Sequence, residues 1–244
     1  MIPTANSLEG KKVIVMGGSA GIGLATAKAA AKKGAILTIV ASNQQRIDSA
    51  LGQLPENATG QSVDLSKEEN IRNFFTNQSS FDHLVYTAGE NLQLTDISET
   101  SISEAQKFFT IRYWGALAAV KYGASKINAG GSIVLTSGIA GNRPGKGWGI
   151  GASITSAMEG FTRAMAVELA PTRVNIVSPG IVKTDLWGDI PEKAREEMYQ
   201  QYSDTLLVKK IASPEDIALA YIYLMEQSFS TGNTIVADGG GLLI

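Results

Sequence analysis

The stretch "VIVMGGSAGIGLATAKAA", residues 13–30, constrains the fold more than any other part of the chain. A run of branched apolar residues ends at Met16, meets glycines at Gly17, Gly21 and Gly23, and passes into alanine-rich helix-forming sequence. A strand that turns through glycines into a helix leaves the first helical N–H groups without partners, and the missing side chains let an anion approach the backbone. The anion such a turn suits is a pyrophosphate, held around Gly17, Ser19, Gly21, Ile22 and Gly23. Taken alone, the glycine triplet also fits a plain tight turn.

Six further runs, "AILTIVA", "GQSVDL", "HLVYTAG", "SIVLTSG", "RVNIVSPG" and "NTIVADGG", read as strands. Between them lie helix-patterned segments at 21–33, 67–77, 103–127, 152–169 and 214–226. This alternation predicts an α/β fold: a single-domain, Rossmann-type, doubly wound parallel sheet of about seven strands with helices on both faces. At 244 residues the chain is long enough for one well-buried domain spanning 1–244 and short for two. Segments 141–151 and 182–207 read as long irregular loops of the kind that form lids.

Composition removes several classes of function. A net charge of −2 offers no basic field to nucleic acid or an anionic membrane. There is no cysteine, and a single histidine, His83, leaves no His-rich metal site. Residues 1–12 lack an apolar signal core, and no apolar run approaches the ~20 residues of a membrane span. The expectation is a cytoplasmic protein acting on a small molecule, with no metal, nucleic-acid or membrane partner.

Downstream motifs add weight to the glycine turn. They are Asp64-Leu65, Thr87-Ala88-Gly89, "MEGFTRAMAVELAP" at 158–171, "RVNIVSPG" at 173–180 and "DGG" at 238–240. With the G-x-x-x-G-x-G spacing of the turn, they make nearly the whole chain resemble the short-chain dehydrogenase/reductase family. The resemblance implies a dinucleotide whose adenine meets Asp64 and whose adenosine lies beside Ala88 and Gly89. It also implies a nicotinamide flanked by Pro179 and Gly180, its carboxamide oriented by Ile181, Val182 and Thr184. Structural alternatives stand beside these roles: Asp64 can cap a turn, and Pro179-Gly180 can end a strand.

The second strand ends in "VASNQQR", with Ala41 where an acidic residue would hold the ribose 2′-OH of NAD and repel a 2′-phosphate. Ser42 and Asn43 can donate hydrogen bonds and Arg46 can supply charge, which favours NADP(H) over NAD(H). Arg46 is otherwise a solvated helix residue, and Ala20 stands where NADP-using relatives often carry a basic side chain.

The catalytic half departs from the family pattern of Asn, Ser, Tyr and Lys. Anchored on the neighbouring motifs, the asparagine position is Arg112, the serine position Gly138, the tyrosine position Gly151 and the lysine position Thr155. Gly151 has no proton to give, so the family's usual mechanism cannot operate. Arg112, Ser137, Ser153 and Thr155 are the candidate replacements, with Glu90, Asn91, Tyr113, Lys146 and Trp148 on segments that border the pocket. A salt bridge is the bland alternative for Arg112, and helix capping for Ser153 and Thr155. Three readings remain open: a slow NADPH-dependent reductase of activated carbonyl compounds, a cofactor-binding sensor without turnover, and a different chemistry on the same scaffold. The helices at 103–127 and 152–169, with Phe108, Phe109, Leu117, Phe161 and Met165, suggest a homodimer or homotetramer.

Overall fold

Strand β1 (Lys12–Met16) divides its side chains between two cores, and that division sets the architecture. Val13 and Val15 face one layer while Ile14 and Met16 face the other, as the two-residue period of a strand dictates. The computed structural model describes residues 7–92 and 94–244. Residues 1–6, part of the segment read for a signal core, and Gln93, within the stretch bordering the pocket, lie outside the described residues.

The strands β2 (Ile36–Ala41), β3 (Thr59–Ser62), β4 (Phe81–Tyr86), β5 (Ile127–Thr136), β6 (Arg173–Pro179) and β7 (Thr234–Ala237) join β1 in one sheet. Their order is β3-β2-β1-β4-β5-β6-β7, and every pairing is parallel. This is the single-domain Rossmann-type sheet that the sequence predicts. Helices α1 (Gly21–Ala31) and α2 (Gln44–Leu51) cover one face together with α8 (Pro214–Glu226). Helices α3 (Glu68–Asn77), α4 (Ile102–Phe108), α5 (Ala116–Gly123) and α6 (Gly149–Glu168) cover the other. The order reverses at β1, whose neighbours are β2 and β4, and a crevice opens there at the carboxyl ends of the strands.

Three expectations need correction. Segment 103–127 is not one helix: α4 and α5 are separated by a π-helical turn, Thr110–Gly115, and a 3₁₀ turn, Ala124–Lys126, follows. The π turn is held by side chains, since Tyr86 donates its hydroxyl to the Ile111 carbonyl (2.6 Å) and Glu90 accepts the Ile111 N–H (2.7 Å). Segment 182–207 is not a loop throughout, because α7 (Glu192–Thr205) occupies much of it. The irregular reading of 141–151 ends early as well, with α6 beginning at Gly149. Among the described residues, no helix is long and apolar enough to cross a membrane.

Candidate cofactor and active site

The glycine turn is built for close approach. Gly17 has φ +89°, and a Cβ there would lie 2.6 Å from the Ala88 nitrogen and 2.7 Å from Thr87 Oγ1. A Cβ on Gly23 would overlap the Gly17 carbonyl oxygen and lie 2.5 Å from Thr87 Oγ1. Thr87 fastens this packing by donating its hydroxyl to the Met16 carbonyl at 3.1 Å. At the start of α1 the N-cap is Ala20, which offers no side-chain acceptor, and the first turn holds no acidic residue. Among the described residues, the N–H groups of Ser19, Gly21, Ile22 and Gly23 have no acceptor, as expected at the start of a helix. Donors without partners, beside backbone no side chain crowds, fit a dinucleotide phosphate.

The remaining cofactor positions are spread along the same edge. Thr184 packs over the turn, its methyl carbon 3.4 Å from a Cβ built on Gly21. Ala88 and Gly89 follow β4, while Pro179 ends β6 and leads to Gly180 and Ile181. Asn43 caps α2, accepting the Arg46 N–H at 2.9 Å, and the Ser42 carbonyl accepts the Ser62 hydroxyl. Arg46 is exposed and has no carboxylate within ion-pair distance among the described residues. Asp64 does cap a turn, accepting the Ser66 N–H at 2.9 Å and hydroxyl at 2.6 Å, and those bonds hold its pKa below the usual carboxylate value. Leu65 sits with its side chain in the core. Val182 is likewise buried, and its carbonyl receives the Trp187 indole N–H at 3.0 Å.

All four tetrad positions converge on one cavity of about 120 Å³, lined by Arg112, Gly138, Gly151 and Thr155. Ser137, Trp148, Trp187 and the Pro179–Ile181 segment complete much of its wall. Ser153 is not brought here: it is exposed, and its hydroxyl donates to the Gly149 carbonyl at 2.8 Å, one helical turn back. The other two hydroxyls are in place but occupied. Thr155 donates to the Ala152 carbonyl at 3.1 Å, and Ser137 to the Thr155 carbonyl at 3.0 Å, with Glu159 Oε1 a second acceptor at 3.3 Å. Glu159 was not singled out from sequence, although its place one turn beyond Thr155 on α6 puts it on the same helix face. Lys146 lies away from the cavity, paired with Asp96 at 2.9 Å. Asn91 bonds the Asp189 carboxylate at 3.2 Å.

Arg112 comes from the π turn, a feature that recurs at functional sites. Its guanidinium crosses Gly89, where a Cβ would stand 2.7 Å from Cζ, and hydrogen-bonds the Glu90 carbonyl. Arg112 Nε and Glu90 Oε2 are buried without hydrogen-bond partners and lie 3.8 Å apart, a charge pair without a bond. Desolvation raises the Glu90 pKa and lowers that of Arg112, and their mutual attraction offsets part of each shift. The pairing was hidden in the sequence, where the two residues are far apart. Among the described residues, Arg112 is the one cationic side chain in the cavity wall.

A family model described as enoyl-(acyl carrier protein) reductase matches residues 17–241. The short-chain dehydrogenase/reductase ATR9 of Stachybotrys chlorohalonatus is 33% identical, over 97% of this chain and 99% of that protein. Among solved structures, a small-chain dehydrogenase in complex with NADPH is 32% identical with a TM-score of 0.85, covering 97% of this chain and 100% of the other. The MalC reductase/Diels-Alderase from Malbranchea aurantiaca is 30% identical with a TM-score of 0.91, covering 98% and 99%. The glycine turn, the parallel sheet and these similarities along almost the full length lead to one conclusion: the chain belongs to the short-chain dehydrogenase/reductase family.

Proposed function

We propose that the chain is an NADP(H)-dependent reductase of activated carbonyl compounds in which Arg112 stabilises the developing oxyanion and water supplies the proton. The observation that carries this reading is the wall of the 120 Å³ cavity, where Arg112 keeps unspent N–H groups while Ser137 and Thr155 have given their protons to helix carbonyls. NADP(H), when bound, supplies the hydride. The unpaired N–H groups of Ser19, Gly21, Ile22 and Gly23 hold the pyrophosphate, and Arg46 at the start of α2 takes the 2′-phosphate. Ile181 and Thr184 orient the carboxamide.

A guanidinium stays a poor acid even where burial lowers its pKa, so Arg112 contributes charge rather than a proton. Glu90 keeps it in place by receiving its hydrogen bond on the backbone carbonyl and by facing Nε with the carboxylate. General acids typically supply ~10² to 10⁴-fold in rate, so a site without one favours carbonyls that are already electron-poor. Such an enzyme retains the advantage of holding reactants together, which can be worth ~7 to 11 kcal/mol.

Calorimetric titration with NADPH, followed by NADPH consumption across a panel of dicarbonyls, tests this reading. Arg112→Met is expected to lower kcat at least tenfold with KM little changed. If NADPH binds and is never consumed, the protein is a cofactor-binding sensor. A second reading, cyclisation without redox change, is favoured by the similarity to a protein named as both reductase and Diels-Alderase, since a pericyclic step needs no proton donor. Conversion of substrate without NADPH consumption would establish it.

We also propose a homodimer, through the Thr110–Gly115 turn, α5 and α6. Phe108 belongs to the core and Phe109, Phe161 and Met165 pack against it, so the exposed apolar residues are instead Trp114 (58%) and Val167 (82%). A monomeric mass in sedimentation equilibrium at micromolar concentration would exclude it.

A further inference from the structure

Beyond the reaction cavity lies a second, larger one of about 550 Å³. The two share Ile139, Ala140, Trp148 and Ile181, so they form an inner and an outer chamber with Trp148 between them. The inner chamber has room for only about four waters, at ~30 Å³ each, and so holds little more than the reacting group. The outer chamber falls within the ~300–1,000 Å³ range of small-molecule pockets, and Pro144, Leu206 and Ile244 extend its apolar wall.

Its polar groups are mostly spent. Asp238 accepts the N–H groups of Gly240 and Leu242, and Thr205 donates to the Tyr202 carbonyl. Arg143 differs: it donates one bond, from Nη1 to the Gly241 carbonyl at 2.6 Å, and among the described residues no carboxylate lies within ion-pair distance. A guanidinium anchored by one N–H, with no other protein partner and standing at the edge of an apolar cavity, is matched by an anion that can take two parallel hydrogen bonds. Trp148 is held edge-on to Trp187, ring centroids 6.4 Å apart, and Trp187 is fixed by its bond to Val182. Trp148 therefore presents a rigid apolar surface between the chambers.

We infer that the substrate is a bulky, largely apolar keto acid: its carbonyl enters the inner chamber, its apolar body lies against Trp148 in the outer one, and its carboxylate meets Arg143. This rests on the reductase reading for the placement of the carbonyl, while the outer chamber and its cation stand on their own geometry.

The test is calorimetric binding of 4-(2-naphthyl)-4-oxobutanoate, its methyl ester and butane-2,3-dione, with and without saturating NADP⁺. The acid is expected to bind about tenfold more tightly than the ester, as one charge-assisted contact predicts. Arg143→Gln should remove that difference and leave the ester unchanged; Arg143 is exposed, so its replacement leaves the core intact. Trp148→Ala should weaken both naphthyl compounds and leave the ratio of acid to ester affinity unchanged. Equal binding of acid and ester by the unaltered protein, or tightest binding of butane-2,3-dione, overturns the inference without any variant. If the acid binds as expected and NADPH is consumed with neither it nor butane-2,3-dione, the reductase reading fails and the substrate class stands. If butane-2,3-dione is reduced and neither naphthyl compound binds, the reverse holds.

Discussion

Two sets of glycines mark the two halves of the site, and they are there for different reasons. In the cofactor half, a Cβ on Gly17, Gly18 or Gly23 would fall within 2.9 Å of another atom. In the catalytic half, a Cβ on Gly138 would find nothing closer than 3.4 Å, and one on Gly151 nothing closer than 3.6 Å. The first set is required by packing; the second would accept a Cβ at ordinary contact distance. Chemistry can therefore be changed in the catalytic half without disturbing the sheet edge that carries it, whereas the cofactor half admits almost no change.

The largest expected effect breaks this contrast at its rigid end. Gly23→Val would force the turn away from Thr87 and Gly17, and NADPH affinity should fall more than ~10³-fold, to below calorimetric detection, because several backbone donors lose their alignment together. Gly151→Ala is the matched control and should bind NADPH like the parent. Retained affinity in a folded Gly23→Val protein would mean that the cofactor does not sit on this turn.

The next effect sharpens the contrast at its permissive end. Combining Arg112→Asn, Gly138→Ser, Gly151→Tyr and Thr155→Lys puts the family's four side chains into a wall where a Cβ at either glycine meets no close contact. Reduction of unactivated ketones should rise by about 10³-fold, within the usual range for a general acid. An unchanged rate in a folded, NADPH-binding variant would show that the surrounding wall, with Trp148 and Trp187, has diverged along with the four positions.

What the sequence made legible follows the same division. The inner strands stand out because their apolar runs are buried on both faces, and α8 was bounded correctly at Pro214 and Glu226, where Ser213 and Asp216 form a capping box. Helix α7 escaped notice because Tyr199 is its one buried residue, leaving no apolar stripe to read. The π turn was invisible because Tyr86 and Glu90, distant in sequence, supply the bonds that hold it. The glycine turn could be read locally, since strand, turn and helix are contiguous. The catalytic cavity could not, because its wall is gathered from five separate segments and the Ser137 hydroxyl is committed to a carbonyl that only the fold brings near.

Both halves stand on β4, and His83 makes that strand sensitive to acid. The ring is buried beside Ser132, with Nδ1 2.9 Å from the hydroxyl, and desolvation, helped by the Arg173 charge, lowers its pKa from 6.5 to about 4. Because the folded-state value is depressed, the stabilisation is complete above pH 6.5 and is lost as the pH falls toward 4, by up to about 3 kcal/mol. Urea unfolding at a series of pH values should show this loss, and His83→Gln should remove that part of the pH dependence. A parent protein equally stable at pH 7 and pH 4.5 would rule out a buried neutral histidine here.

The smallest effect lies at the rim of the cofactor half, where packing gives way to solvent. Arg46 is in the first turn of α2, and no acidic residue accompanies it there. Its charge is free to meet a 2′-phosphate, but it is exposed, and an exposed pair is typically worth ~0.2 to 1 kcal/mol. Arg46→Ala should therefore reduce the preference for NADPH over NADH by about three- to fivefold, and raising the salt concentration should reduce the parent's preference in the same direction. Ala41→Asp places a carboxylate at the end of β2, where it can hold the ribose 2′-OH and repel the phosphate, and should shift the preference further toward NADH. An Arg46→Ala protein with an unaltered preference would move the 2′-phosphate contact to Ser42 and the amide of Asn43, the donors that remain at this helix start.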